Sequence, residues 1–202
     1  MTPWLTGRRA LIAGEGAAID VVVAALQSAG AKAVRSSIVP GGDDGIAAEM
    51  AALFEAGGVD ILIHGGTRVT TLAAVETGSD AWRDGVSADI DLRFLQSTEF
   101  VRRCLVAGQG GSILFLMPAA LPQATGYIAA ATVTGAIGNL VKSLAVEWAR
   151  DGIRINAIAT RVHHAGAADN DAPLASLGHL ATYILSDYGA YISGAVMGVD
   201  ET

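Results

Sequence analysis

Residues 128–159 read IAAATVTGAIGNLVKSLAVEWARDGIRINAIA and contain the pattern that decides the fold class. From about Ile128 to Arg150, apolar side chains recur at three- and four-residue intervals, which is the spacing of one face of an α-helix. Gly152 interrupts this pattern, and the run from Ile153 to Ala159 is short, apolar and typical of a buried strand. A long helix that leads directly into a buried strand is typical of α/β domains. The apolar face of the helix consists of Val133, Ile137, Leu140, Val141, Leu144 and Trp148.

The same alternation of strands and helices extends along the whole sequence. Short apolar runs predict six strands, and apolar residues at helical spacing predict a helix after each of the first five. Such a chain folds as βαβ units with a parallel sheet, and we expect a single α/β domain over residues 1–202. The predicted strands are Arg9 to Ala13, Lys32 to Ser37, Asp60 to His64, Ser112 to Met117, Ile153 to Ala159 and Ala195 to Val199. In the third helix, around Ala81 to Val106, the candidate inward residues are Val86, Ile90, Phe94 and Val101.

Composition and charge exclude several classes of protein. Hydrophobic residues make up 51% of the chain and charged residues 16%, a balance that excludes intrinsic disorder. The net charge of −7 disfavours nucleic acid as a partner, because a phosphate backbone attracts a basic surface. The single cysteine, Cys104, cannot form an internal disulfide. Residues 1–9 lack the apolar segment of a signal peptide, and no run of about 18 apolar residues occurs, so we expect a cytoplasmic protein without a membrane span.

A long stretch without charge, from Cys104 to Val141, contains no Asp, Glu, Lys, Arg or His. Pro118, Pro122 and several glycines interrupt it, which argues against a membrane helix. Two explanations are open and compatible. The stretch is a buried strand followed by a buried helix, or part of its surface contacts another subunit, because the cores of interfaces are depleted of charge.

Five short motifs follow one another along the chain: Leu5-Thr6-Gly7-Arg8-Arg9-Ala10-Leu11-Ile12, Gly110-Gly111-Ser112-Ile113, Lys142-Ser143-Leu144-Ala145-Val146-Glu147, Gly152-Ile153-Arg154-Ile155-Asn156-Ala157 and Ile192-Ser193-Gly194-Ala195. In this order and spacing they resemble the short-chain dehydrogenase/reductase family, and the resemblance covers nearly the whole chain. It implies a Rossmann-like doubly wound sheet. Because a fold does not establish an activity, each functional position of the family has to be compared separately.

The phosphate-binding loop departs from the pattern that the resemblance implies, Thr-Gly-x-x-x-Gly-x-Gly. The first glycine is present as Gly14, but the second and third fall on Ala18 and Asp20. We expect the methyl group of Ala18 to lie where the pyrophosphate binds, and the carboxylates of Glu15 and Asp20 to repel it. Two alternatives are open: Asp20 stabilises the positive end of its own helix, and Gly16 preserves a residual anion site.

The adenosine side of the expected cofactor site is also altered. The acidic or basic residue that usually ends the second strand falls near Arg35, Ser36 and Ser37, where no acid is present. We expect Arg35 to be a solvated residue at the strand edge; the alternative is that it contacts a ribose phosphate. Residues 38–59 leave room for a loop and one helix, so one helix–strand unit of the family is missing or reduced to Ile38-Val39. After the third predicted strand, His64-Gly65-Gly66-Thr67 stands where the family has Asn-Asn-Ala-Gly.

None of the family's four catalytic residues is expected to be present. Counting back from Ser143-Leu144-Ala145 places the catalytic tyrosine at Ala130 and the lysine at Thr134. The serine falls on Met117 or Pro118, and the asparagine on Asp91. Tyr127 has no lysine four residues later to lower its pKa from about 10. The sequence therefore predicts neither catalytic residues nor cofactor-binding residues, and no NAD or NADP bound to this chain.

Other candidate sites are weak. The segment from Thr160 to Ser176 is shorter than the family's substrate lid, and Thr160-Arg161 replaces its Pro-Gly. His163 and His164 are adjacent, so their side chains diverge and predict no metal site. We interpret His64 and His179 as structural or surface residues. A relocated active site around Asp91, Tyr127 and His163 is a further alternative.

The surfaces that mediate assembly in the family are retained. In the family, the helices equivalent to Ala81–Val106 and Ile128–Arg150 form a four-helix bundle across a two-fold axis, and the last strand with its helix forms a second interface. The resemblance therefore implies a non-catalytic subunit in a heterotetramer with an intact paralogue. Heteromeric enzymes of this kind include the 2-(hydroxy(phenyl)methyl)succinyl-CoA dehydrogenase of anaerobic toluene breakdown. The alternative is a small-molecule binding or sensor protein that uses the vacated cleft. The small residues of the second bundle helix are Ala129, Ala130, Ala131, Gly135, Ala136 and Gly138, the last expected on its outward face.

Overall fold

A computed structural model describes residues 3–38, 43–65, 73–119, 126, 128–160 and 171–199. Within these residues the chain forms one parallel six-stranded sheet with the order β2-β1-β3-β4-β5-β6. The parallel α/β fold predicted from the sequence is confirmed. The strands are β1 (Arg9–Ala13), β2 (Lys32–Arg35), β3 (Ile61–His64), β4 (Gly111–Pro118), β5 (Ile153–Thr160) and β6 (Val196–Val199). The helices are α1 (Ala17–Ser28), α2 (Asp43–Glu55), α3 (Ser79–Ala107), α4 (Ile128–Trp148) and α5 (Asp171–Leu185).

Helices cover both faces of the sheet, which explains why the central strands are apolar on both sides. On one face, α1 and α5 pack around Ile12, Ile63 and Leu114. On the other, α2, α3 and α4 pack around Phe115 and Ile155. The alternate residues of the four inner strands therefore enter two separate hydrophobic clusters.

The connection between β2 and β3 is short. It contains α2 and, within the described residues, no further strand, so β2 is an edge of the sheet. This agrees with the prediction that one helix–strand unit is missing. β2 ends at Arg35, earlier than the predicted Ser37: the Ser36 N–H still donates to the Ile12 carbonyl, but the Ser37 N–H donates to the side chain of Glu49.

The inner face of α3 differs from the prediction. Phe94 is 43% exposed, Val86 and Ile90 are only partly buried, and of the four predicted inward residues Val101 alone is fully buried. The inner face is polar near its middle, where Arg93 donates to two strand carbonyls and Gln96 donates to the Ser36 hydroxyl. The buried polar residues are Asp89, Arg93, Gln96, Ser97 and Glu99.

One stretch of the described chain, residues 128–151, is long and apolar enough to cross a membrane by length and composition alone. Core helices pass the same test, and α4 packs on α3 and β5 through Val133, Ile137 and Val141. Only 33% of its most apolar window is buried, so much of this helix lies on the surface. It ends at Trp148 and continues as one 3₁₀ turn to Asp151.

Candidate functional site

The strand order reverses between β1 and β3, and in open α/β sheets ligands bind in the crevice outside the carboxyl ends of the strands at such a point. In this chain the crevice is lined by Gly14 and Gly65. The Gly65 N–H donates to the Ala13 carbonyl at 2.8 Å, which joins the two strand ends. Ile19 of α1 packs on Gly65 so closely that a side chain at position 65 would overlap it. The absence of a side chain at Gly65 therefore lets α1 pack closely on the end of β3.

The loop between β1 and α1 keeps two glycines with positive φ, Gly14 at 93° and Gly16 at 115°. Gly16 is the N-cap residue of α1, and no side chain accepts a hydrogen bond at this end of the helix. The expectation for Ala18 was wrong: its side chain is 1% exposed and belongs to the hydrophobic cluster under the sheet, so its methyl group does not project into the crevice. The helical turn that starts at Ala17 carries Ala18 inward and leaves Glu15 and Asp20 exposed.

Asp20 and Arg35 form an ion pair. Asp20 lies in the first turn of α1, and its carboxylate accepts a hydrogen bond from the Arg35 guanidinium at 2.6 Å. Both side chains are at least half exposed, so the pair contributes little to stability. The pair nevertheless binds the Arg35 guanidinium to a carboxylate of the chain itself. Arg35 is the last residue of β2, on the side of the crevice where the ribose is expected to bind.

The carboxyl end of β2 is bound by Glu49 of α2. One carboxylate oxygen of Glu49 accepts from the Ser36 hydroxyl at 2.6 Å, and the other accepts from the Ser37 N–H at 2.7 Å and the Ser37 hydroxyl at 3.1 Å. The Ser36 hydroxyl in turn accepts from the Ile38 N–H and from the Gln96 amide. The strand end where the family is expected to bind ribose is thus engaged by an internal carboxylate.

A fully buried arginine joins the ends of β3 and β4. Arg93 donates to the His64 carbonyl at 3.0 Å and to the Leu116 carbonyl at 2.8 Å. Its Nε donates to the Asp89 carboxylate at 3.2 Å, and its guanidinium lies 5.0 Å from the centre of the Phe115 ring. Burial lowers the pKa of Arg93 and the charge of Asp89 raises it. The guanidinium stays charged in this setting, because an arginine is not deprotonated in proteins.

The imidazole of His64 is buried at the end of β3, in edge contact with Phe115. Burial, and secondly the charge of Arg93, hold the pKa of His64 well below 6.5, so the ring is neutral at physiological pH. This agrees with the interpretation of His64 as structural. His179 is exposed on α5.

The positions aligned with the family's catalytic pair lie together on α4. The helix is unbroken from Ile128 to Trp148, so the alignment of the tyrosine and lysine positions with Ala130 and Thr134, counted back from Ser143, needs no gap. The Thr134 hydroxyl donates to the Pro118 carbonyl at 3.2 Å, which brings the aligned lysine position against the aligned serine position at the end of β4. Met117 is 2% exposed and Ala130 half-buried.

Other predicted positions divide into exposed and undescribed residues. Asp91 is exposed on the outer face of α3, and its buried neighbour Asp89 points inward instead. Tyr127, His163, His164, Arg161, Gly66 and Thr67 lie outside the described residues. Among the residues that are described, no group of three His, Cys, Asp or Glu side chains could hold a metal ion.

Residues 43–201 match the family profile described as enoyl-(acyl carrier protein) reductase. The chain belongs to the short-chain dehydrogenase/reductase family. It is similar to a 2-dehydro-3-deoxy-D-gluconate 5-dehydrogenase of Pseudoalteromonas atlantica, with 31% identity over 70% of this chain and 63% of that protein. It is also similar to a cis-4-hydroxycyclohexanecarboxylate dehydrogenase of Sinomonas cyclohexanicum, with 29% identity over 94% of this chain and 88% of that protein. The chain spans only 41% to 63% of the length of three of the curated relatives it matches.

Solved structures of the same family agree with the fold. A short-chain dehydrogenase/reductase from Mycobacterium marinum matches with a TM-score of 0.81 at 22% identity, over 97% of this chain and 94% of that one. The NADH-dependent enoyl-(acyl carrier protein) reductase of Aquifex aeolicus matches with a TM-score of 0.80 at 19% identity, over 97% and 96% of the two chains. At these identities the likeness shows the fold alone.

Sequence reasoning missed the polar residues that occupy the family's crevice in this chain. A signal for Arg93 was available, because Asp89 and Arg93 stand four residues apart on one helix face, a spacing that favours ion pairs. No comparable signal pointed to Glu49, because its partners Ser36 and Ser37 belong to another element of the fold.

Proposed function

We propose that this chain is a non-catalytic subunit of a cytoplasmic complex with a catalytically intact, NAD(P)-dependent member of the same family. The observation that carries the proposal is the contact between Thr134 and Pro118. It puts position 134 at the end of β4, where the family is expected to hold the lysine that lowers the pKa of its tyrosine. A threonine hydroxyl that donates to a carbonyl cannot supply that positive charge, and Ala130 one turn earlier has no proton to transfer.

The crevice also fits a dinucleotide poorly. Glu49 engages the donors of Ser36 and Ser37, and Asp20 engages Arg35. A bound NADP or NAD would have to displace these carboxylates or lie beside their negative charge. We therefore propose that this chain does not transfer hydride, and that the partner binds the cofactor and catalyses the reaction.

The outer face of α4 supports an assembly role. Its exposed residues in the first three turns carry no charge, and a side chain added at Gly135 would meet nothing within 4 Å. Gly138 was expected on the outer face, but a side chain added there would meet Val196 of β6 at 3.8 Å. An uncharged helix surface of this kind resembles the cores of protein interfaces, which are depleted of charged residues. The exposed residues are Ile128, Ala131, Thr132, Gly135 and Asn139.

A charge on this surface tests the assembly. We expect Gly135→Glu to abolish co-purification with the partner, because the carboxylate would be buried without a counter-charge. Ala24→Glu, at an exposed position of α1 on the opposite face of the sheet, is the matched control and should leave the complex intact. The first partner to test is a catalytically intact short-chain dehydrogenase, including one of the hydroxyacyl-CoA type named above. Equal co-purification of both variants would contradict the proposal.

The relatives favour a second candidate, an NAD(P)-dependent oxidoreductase active by itself, because those named above are dehydrogenases. Calorimetric titration of the purified chain with NAD and NADP separates the two. The non-catalytic subunit should bind neither, whereas a Kd in the low micromolar range would favour the enzyme. Binding of another small molecule in the crevice would instead favour the sensor protein.

A further inference from the structure

The outer side of β2 carries backbone groups that pair with no other strand of the sheet. The N–H groups of Lys32 and Ser36 donate to carbonyls on the β1 side. Because successive residues of a strand direct their backbone groups to alternate sides, those of Ala33 and Arg35 point away from β1. Within the described residues, no group outside the ladder accepts from either of these N–H groups. An open edge of this kind is a template for a further strand.

The charges along this edge differ at its two ends. Lys32, at the amino end, is exposed and forms no ion pair with any described residue. Glu49 of α2 lies at the carboxyl end, where its carboxylate accepts from the Ser36 hydroxyl at 2.6 Å. Lys32 and Ser36 are an even number of residues apart, so their side chains are on the same face of the sheet. This face of the edge therefore has a cation at one end and an acid at the other.

A second copy of the same edge complements these charges when the two strands run antiparallel. If Val34 lies opposite Val34 of the second copy, each Lys32 lies opposite a Ser36. The ammonium group of Lys32 then comes close to the Glu49 carboxylate that this serine binds. Val34 is only half-buried in the single chain, and two β-branched side chains opposite each other stabilise a pair of strands.

The backbone groups match in the same register. Ala33 lies opposite Arg35 of the second copy, and residues paired in this way exchange both of their N–H···O hydrogen bonds. A shift of the register by two residues would set Arg35 against Arg35, and like charges directly opposite each other are destabilising. The charges of the edge therefore favour one antiparallel register.

We propose that two copies of this chain join their sheets through antiparallel pairing of β2, and that Lys32 of each copy pairs with Glu49 of the other. This surface is distant from the outer face of α4, because α4 packs on β5, far from β2 in the strand order. A dehydrogenase bound to α4 leaves the edge of β2 open. The inference does not rest on the proposed function.

Oxidation of a cysteine variant tests the register. In the proposed pairing, Val34 and its copy form a non-hydrogen-bonded pair whose Cα atoms lie about 4.5 Å apart, within the range of a disulfide. We expect Val34→Cys to form a covalent dimer on a non-reducing gel. Ala33→Cys is the matched control with a low yield, because position 33 lies opposite Arg35 and not opposite itself. Wild type, whose Cys104 is buried, gives the background.

Sedimentation of the purified chain measures the same pairing without a covalent link. The mass of wild type should approach twice 20.5 kDa as the concentration rises. Ala33→Pro removes an outward N–H and keeps the ladder with β1, so it should raise the Kd of the dimer at least about tenfold. Lys32→Glu should do the same, because it brings two acids together. Arg150→Glu makes the same change of charge at an exposed position after α4, and should leave the Kd unchanged.

Three results would overturn the inference. They are a wild-type chain that stays monomeric at about 0.1 mM, a yield for Val34→Cys no higher than for Ala33→Cys, and a dimer that Gly135→Glu breaks but Lys32→Glu does not. The last result would mean that the copies pair through α4. Lys32→Glu changes only an exposed side chain, so the test stands even if Ala33→Pro fails to fold by circular dichroism. No dehydrogenase is present in these experiments, so their outcome is separate from the co-purification that tests the proposed function.

Discussion

Arg93 offers the sharpest test of how the ends of β3 and β4 are held together. The side chain is fully buried, and Arg93→Met keeps most of its volume while removing the charge and the three donors. The substitution leaves the Asp89 carboxylate without the guanidinium that pairs with it, and two strand-end carbonyls lose a charged donor. Breaking a buried ion pair in this way costs about 3–5 kcal/mol of the free energy of unfolding.

Urea denaturation followed by circular dichroism measures this loss. With an m value of about 2 kcal/mol/M, the midpoint for Arg93→Met should fall by about 2 M. The double variant Asp89→Leu/Arg93→Met removes both members of the ion pair, and should recover much of the loss because the buried carboxylate is removed together with the guanidinium that pairs with it. Arg83→Met, in an exposed pair with Asp80, is the control and should move the midpoint little.

Two results would refute this reasoning. If Arg93→Met lowers the free energy of unfolding by less than about 1 kcal/mol, the guanidinium does not hold the two strand ends. If the double variant is as unstable as Arg93→Met, the loss does not come from the unmatched charge of Asp89.

Three further predictions concern buried groups and the vacated catalytic pair. Because the pKa of His64 is lowered in the folded chain, unfolding binds a proton below pH 6.5, and the free energy of unfolding should fall as the pH drops through 6.5, by up to about 1.4 kcal/mol per pH unit. His64→Gln should flatten this slope in urea titrations between pH 7.5 and 5. Parallel slopes for wild type and variant would contradict the lowered pKa. Burial raises the pKa of the Cys104 thiol to about 11, so a thiol reagent at pH 8 should react far more slowly with the folded than with the urea-unfolded chain; equal rates would show that the thiol is accessible. Ala130→Tyr/Thr134→Lys should show no NAD(P)-dependent turnover in a spectrophotometric assay, because the donors of Ser36 and Ser37 at the end of β2 stay bound to Glu49. Measurable hydride transfer would mean that the crevice accepts a cofactor.

The fold was predictable because it depends on local pattern. Runs such as Ile61–His64 and Gly111–Pro118 are buried on both faces, so their apolar composition marks them as central strands without any knowledge of their neighbours. The end of β2 was less predictable, since the ladder stops where Glu49, far along the chain, takes the N–H of Ser37.

The site was predictable only where it depends on helix register. The alignment of the lysine position with Thr134 needs no gap because α4 is one unbroken helix, and in the structure Thr134 contacts the end of β4. The inward face of α3 was not, because a rule that places apolar residues inside fails where Arg93 and Gln96 satisfy strand carbonyls and a serine hydroxyl. Gly138 was misplaced since β6, which packs beside it, returns from the far end of the chain.

The most direct test of the central claim is light scattering on this chain co-expressed with a catalytically intact short-chain dehydrogenase. Closed two-fold assemblies are the commonest arrangement, and a non-catalytic subunit should elute as a complex of two copies of each chain. Two copies of this 20.5 kDa chain plus two of the partner should account for the measured mass. If this chain instead elutes alone as a monomer and associates with no co-expressed dehydrogenase, the subunit proposal is wrong.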